Sequence, residues 1–125
     1  MPKDINDPNT ILVDRYVAGW NATDAETRRD LVAGAWTETG RYLDPVMRGE
    51  GHEGIDAMLA GVQRQFPGFV LRRTSPVDAH NGQVRFAWEL GPEGGEAPVA
   101  GVDIGVVSDD GRLEAITGFL DRVPG

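Results

Sequence analysis

At 125 residues the chain is long enough for one domain with a substantial core, and its 40% hydrophobic and 26% charged residues suit a globular protein. A formal net charge of -8 excludes a nucleic-acid surface, which needs clustered Lys and Arg; Arg28-Arg29 and Arg72-Arg73 are too short for that. With no cysteine, a polar stretch over residues 1–9 and no apolar run near the roughly 20 residues that span a bilayer, the sequence predicts a soluble, cytoplasmic protein without disulfides.

Residues 1–9 read as a loose arm ahead of a helix capped by Asn9 or Thr10 and covering 11–20. Leu12, Val13, Tyr16, Val17 and Trp20 share one face of it. Thr23 or Asp24 caps a second helix, whose apolar face is Leu31, Val32, Ala35 and Trp36. Gly40 interrupts the pattern, residues 41–44 read as a short strand, and Pro45 stops it because it has no N–H for the ladder. After a turn at Gly49-Glu50-Gly51, a third helix over 53–66 buries Ile55, Met58, Leu59 and Val62.

A β-meander completes the chain. Residues 69–79 are strand-like, and Asn81-Gly82 is a strong hairpin signal. Residues 84–90 alternate with period two, 91–98 form a polar turn, and strands over 99–107 and 112–123 flank the tight turn at Asp110-Gly111. No repeat or linker divides the chain, so residues 1–125 are expected to form a single domain. The order predicts an α+β fold, with helices on one face of a curved antiparallel sheet and a concavity between the layers.

Three polar residues on otherwise apolar elements are candidates for chemistry: Tyr16, Asp44 and Asp103. Alternation puts Gly101, Asp103 and Gly105 on one face of their strand and Val102, Ile104 and Val106 on the other. Either the valine face is core and Asp103 meets water, or the Gly-Asp-Gly face looks into a cavity where two missing side chains leave room for a ligand. The spacing alone favours the first; the second leaves the valine face for a homodimer to cover. Asp44, before Pro45, reads equally as a turn former, and Tyr16 as a core residue with a backbone partner. His80 is expected in solvent and His52 at a helix start; no histidine or cysteine spacing suggests a metal site.

Several segments together carry a resemblance. Residues 15–24, Arg-Tyr-Val-Ala-Gly-Trp-Asn-Ala-Thr-Asp, resemble the first helix of the bacterial steroid Δ5-3-ketoisomerases. Tyr42-Leu43-Asp44-Pro45-Val46 is similar to that family's catalytic strand end, and Val102-Asp103 to its penultimate strand. The wider group is the nuclear transport factor 2-like superfamily, with its SnoaL-like polyketide cyclases and limonene epoxide hydrolases. The resemblance covers residues 11–123 and implies three helices on a curved, mostly antiparallel sheet that forms a cone with an interior pocket.

It implies further that Asp44 is a general base moving a proton beside a carbonyl, with Tyr16 and a protonated Asp103 donating to the enolate oxygen. Such donors in a dry site stabilise an enolate better than water does, and an apolar setting can keep a carboxylic acid neutral for the task, as it does in the isomerases themselves. The implied partner is an apolar ketone, and no cofactor or metal is called for. The chain departs from the isomerases at Leu59, where they carry a tyrosine supporting the oxyanion donor; Tyr42 is no evident substitute. The alternatives are a non-catalytic small-molecule-binding domain and an epoxide hydrolase. The latter needs an Arg-Asp pair around a water, and the strands contain no Arg-x-Asp.

Overall fold

A computed structural model describes residues 7–124. Helix α1 (Pro8–Asn21) starts at Asp7, whose carboxylate accepts from the Thr10 N–H at 3.1 Å and the Thr10 hydroxyl at 3.2 Å. Pro8 takes the first turn, where its missing N–H costs nothing. The helix therefore begins inside the stretch expected as an arm; residues 1–6 of that stretch lie outside the described residues. Asp24 caps α2 (Ala25–Ala35) through the Thr27 N–H at 2.9 Å. Trp36, expected on the face of α2, instead begins strand β1 (Trp36–Leu43). Gly40 lies inside β1 and does not break it: a Cβ there would come within 2.6 Å of the Trp36 ring, so only glycine lets that ring fold over the strand.

Strand β2 (Arg48–Glu50) occupies the expected turn and hands over to α3 (Gly51–Gln65) through Gly51, at φ 70. The strand-like 69–79 run is two strands, β3 (Phe69–Arg73) and β4 (Asp78–His80), both antiparallel to β5 (Gln83–Pro92). Pro76 has no N–H to continue the ladder, and the Ser75 hydroxyl stands in for backbone by accepting from the Ala87 N–H at 2.8 Å. Asn81 (φ 50) and Gly82 (φ 73) make the expected hairpin between β4 and β5. Strands β6 (Val99–Val107) and β7 (Leu113–Arg122) follow.

The sheet order is β2-β1-β7-β6-β5-β3, with β4 also on β5. All pairs are antiparallel except β1 with β7, so the sheet is mixed. It curls into a half-barrel with the three helices closing its concave side, the cone of the nuclear transport factor 2-like fold. Arg28, 7% exposed, ties α2 to α3 by bonding Asp56 at 2.8 Å and Gln63 at 3.2 Å. Gln63 in turn donates to the carbonyls of Trp20 and Ala22 at the end of α1.

The faces of β6 are the reverse of what spacing alone favoured. Gly101, Asp103 and Gly105 are buried, while Ile104 and Val106 are exposed. The two glycines do not leave room for a ligand, because neighbouring side chains fill it. A Cβ on Gly101 would lie 2.6 Å from Trp88 Cζ2 and 2.2 Å from the Phe119 carbonyl; on Gly105 it would lie 2.8 Å from Ile116 Cδ1. Gly101 thus lets its cross-strand partner Trp88 lie flat over β6. Gly101→Ala should destabilise the fold by about 2–3 kcal/mol, the cost of overpacking a tight core. Urea unfolding at neutral pH checks this, and an unchanged midpoint would contradict it.

Candidate functional site

Asp103 sits in the middle of β6, facing the helices, and is 2% exposed. Its two oxygens are received separately. The Tyr16 hydroxyl on α1 donates to Oδ2 at 2.7 Å, and the Trp88 indole N–H on β5 donates to Oδ1 at 2.9 Å. Tyr16 is locked by aromatic contacts with Trp36 (5.9 Å between centroids) and edge-on with Phe86 (5.8 Å). Burial raises the Asp103 pKa, the bonds from Tyr16 and Trp88 lower it, and the charge of Asp44 raises it again, leaving it at about 6. Burial, then the Asp103 charge, pushes the Tyr16 hydroxyl well above the ordinary phenol range, so Tyr16 keeps its proton.

Asp44 is made differently. It ends β1 where Pro45 forbids another ladder bond, and its carboxylate folds back on the turn that follows. Oδ1 accepts from the N–H groups of Val46 (2.8 Å) and Met47 (2.9 Å), while the Asp44 N–H reaches the Met47 carbonyl at 3.0 Å. Oδ2 accepts from the Tyr42 hydroxyl at 2.6 Å. Asp44 is half-buried.

The parallel pairing of β1 with β7, and the register of Asp103 opposite Gly118, bring the two carboxylates together. A Cβ on Gly118 would lie 3.0 Å from Asp103 Oδ1, 3.2 Å from Asp44 Cβ and 3.3 Å from the Tyr42 hydroxyl. Three polar groups, two from β1 and its end and one from β6, therefore converge over a position on β7 with no side chain.

Above that floor opens a cavity of about 610 Å³, a size that suits a small organic ligand. Asp44, Asp103, Tyr42 and Trp88 form its polar end, and side chains such as Met58, Val62, Leu90 and Leu120 form its wall. Asp44 and Asp103 are the only charged side chains lining it among the described residues.

Of the residues singled out from sequence, Asp44 and Asp103 both reach this cavity and Tyr16 does not. Tyr16 lies behind Asp103, with its proton on Oδ2. The phenol that does face the cavity is Tyr42, which sequence reasoning set aside. It shares the inward parity of Asp44 two residues later, a period-two signal that was available. Trp88 lines the cavity, Phe86 packs on Tyr16 in the core, and Phe119 faces outward. Leu59 is core. His52 bonds the Trp36 carbonyl at 2.8 Å, and His80 is exposed beside the Asn81 turn. Among the described residues no cluster of metal-ligating side chains occurs, and no helix is long and apolar enough to cross a membrane.

A SnoaL-like domain model matches residues 13–116. The chain belongs to the SnoaL-like family. Among similar solved structures is a SnoaL-like protein of Agrobacterium tumefaciens str. C58, provisionally called an isomerase. It is 38% identical, with 91% of this chain and 97% of that one covered and a TM-score of 0.86. A SnoaL-like protein of Jannaschia sp. CCS1, provisionally called a polyketide cyclase, is 22% identical over 97% of this chain and 90% of that one, TM-score 0.74. A protein of Catenulispora acidiphila DSM 44928 with a ketosteroid isomerase-like fold, solved with trimethylamine, is 15% identical over 86% and 82%, TM-score 0.69. No curated protein matches the sequence.

The buried acid of this SnoaL-like chain carries a stability consequence. The Asp103 pKa is raised on folding, so its contribution is fully present below the unfolded value near 3.8 and is lost as pH rises through about 6. The stability of wild type relative to Asp103→Asn should therefore fall by about 3 kcal/mol between pH 3.5 and 7 and then level off. Urea denaturation of both proteins across that range tests it. A difference that is flat, or that grows with pH, would reverse the assignment.

Proposed function

We propose that the protein is an enzyme that moves a proton on an apolar ketone through an enolate, as a ketosteroid isomerase or a polyketide cyclase does. The observation that carries this reading is the pair of unlike carboxylates at one end of an apolar cavity: Asp44 half-buried on a backbone turn, Asp103 buried and raised to about 6. Carboxyl groups held in environments that separate their protonation states are suited to opposite roles. Asp44 is the base, and with Oδ1 committed to two N–H groups its Oδ2 takes the proton from the carbon beside the carbonyl. Protonated Asp103 donates to the ketone oxygen as negative charge gathers there. Tyr16 acts through Asp103, holding Oδ2 from behind. A ligand in the cavity displaces water from Asp103 and favours its neutral form further. The relative provisionally called an isomerase, 38% identical over most of both chains, supports the same reaction class.

The test is conversion of a β,γ-unsaturated ketosteroid to its conjugated isomer, followed by ultraviolet absorbance. Asp44→Asn should lower kcat by about 10²–10⁴-fold, the usual contribution of a general base. In wild type, kcat/KM should fall as pH rises above about 6, because ionised Asp103 no longer donates. Asp103→Asn keeps a donor and should lose that alkaline limb. Full turnover in Asp44→Asn would remove Asp44 as the base.

A second reading is a binding domain without turnover. It is favoured by the fact that the hydroxyls and indole bordering both carboxylates already donate to them. Saturable binding of the ketone with no isomerisation of any β,γ-unsaturated ketone, steroid or smaller, would select it. Epoxide hydrolysis is not retained, because no arginine lines the cavity among the described residues.

The outer face of the sheet bears on assembly. Ile104 (38% exposed), Val106 (44%) and Phe119 (52%) form an apolar patch on adjacent strands β6 and β7. We propose that a second copy of the chain covers it. Light scattering coupled to size exclusion should give twice the chain mass for wild type and a single mass for Ile104→Lys/Phe119→Lys. A wild-type monomer at micromolar concentration would reject the dimer.

A further inference from the structure

Tyr42 is 3% exposed, yet it lines the cavity at its polar end. Its ring is packed edge-on against Trp20, with centroids 5.6 Å apart, so the free motion left to the group is rotation of the hydroxyl about its C–O bond. That hydroxyl points at Asp44 Oδ2 and lies beside Asp103 over the bare Gly118 position. Asp44 does not depend on Tyr42 for its orientation, because Oδ1 is anchored independently by the Val46 and Met47 N–H groups. Burial, then the charge of Asp103, raises the Tyr42 pKa far above the ordinary phenol value, so the group holds its proton as a donor.

We infer that Tyr42 is a catalytic residue whose hydroxyl donates to Asp44 Oδ2 in the resting enzyme and turns to the ligand oxygen as charge moves there. The inference rests on the enolate reading above and replaces Tyr16 with Tyr42 as the phenol that touches the ligand. In the step, the C–H bond breaks, its proton bonds to Asp44 Oδ2, and its electron pair becomes the enolate with negative charge on oxygen. Asp44 is then neutral and a poorer acceptor, while the ligand oxygen has become a better one. The Tyr42 proton stays on its own oxygen throughout and only exchanges acceptors. The donor thus follows the charge, and the missing side chain at Gly118 leaves the space beside its hydroxyl open.

The test uses 2-naphthol, whose ionised form carries an enolate-like oxygen, and naphthalene, of the same shape without oxygen. Binding of each is followed by fluorescence in wild type, Tyr42→Phe and Tyr16→Phe. Wild type should prefer naphthol, and Tyr42→Phe should weaken naphthol at least about tenfold, as expected for loss of a hydrogen bond to a charged oxygen. Its naphthalene binding should stay within about twofold, and Tyr16→Phe should weaken naphthol less than Tyr42→Phe does. Unchanged naphthol binding in Tyr42→Phe overturns the inference and leaves the enolate reading standing. A wild type that does not distinguish the two probes overturns both. Should Tyr42→Phe lose both ligands together, proton NMR of Tyr16→Phe decides, because Tyr42 is then the single tyrosine left in the sequence. A phenol hydroxyl resonance that shifts with naphthol and not with naphthalene supports the inference, and the same response to both probes overturns it.

Discussion

A carboxyl group in the middle of a sheet, turned toward the core, is the constraint around which this molecule is arranged. Burying Asp103 is unfavourable unless both oxygens are satisfied, and they are satisfied from two different layers. Tyr16 reaches it from the helix layer, which sets the rotation of α1 against the sheet. Trp88 reaches it from the neighbouring strand and lies across Gly101 to do so. Neither donor is free to move, since Tyr16 is boxed in by aromatic rings and Trp88 by the backbone beneath it. The helix packing and the polar end of the cavity are thus fixed by one group.

The second carboxylate is placed by different means, and the contrast gives the cavity its character. Asp103 is surrounded by side chains and has an elevated pKa, whereas Asp44 is anchored by main-chain N–H groups at a strand end. Tyr42 bonds Asp44 and lies beside Asp103, and the rest of the lining is largely apolar. With no cation in that lining among the described residues, a carboxylate or phosphate on a ligand would meet two acids and no counter-charge. A neutral and mostly apolar ligand meets no such conflict.

Much of this was legible in the sequence. Helical periodicity in residues 11–20, the Asn81-Gly82 hairpin and the alternation of 84–90 each depend on neighbours in the chain, and each forms where expected. The start of α1 is ambiguous even locally, because Asp7 and Pro8 are common loop residues, whereas here one is a cap and the other a first-turn residue. The other differences depend on contacts distant in sequence. The inward face of β6 was misjudged because period two identifies two faces without saying which is covered. Only the pairing with Trp88 and Ile116 explains why glycines flank Asp103. Tyr42 was overlooked for a related reason. The parallel register of β1 with β7 makes it a neighbour of Gly118, and short-range pattern does not contain that register.

The turn that follows Asp44 separates two jobs that proteins often entangle. The carboxylate is positioned by the N–H groups of the residues after it, and main-chain N–H groups are present whatever side chains Val46 and Met47 carry. Met58, Val62 and Leu120, which shape the apolar wall, make no hydrogen bond to either acid. Substitutions along that wall can therefore change the size and outline of the cavity while both carboxylates stay in place. For a protein engineer, the wall is the adjustable part and the Asp-Pro turn is the part to leave alone.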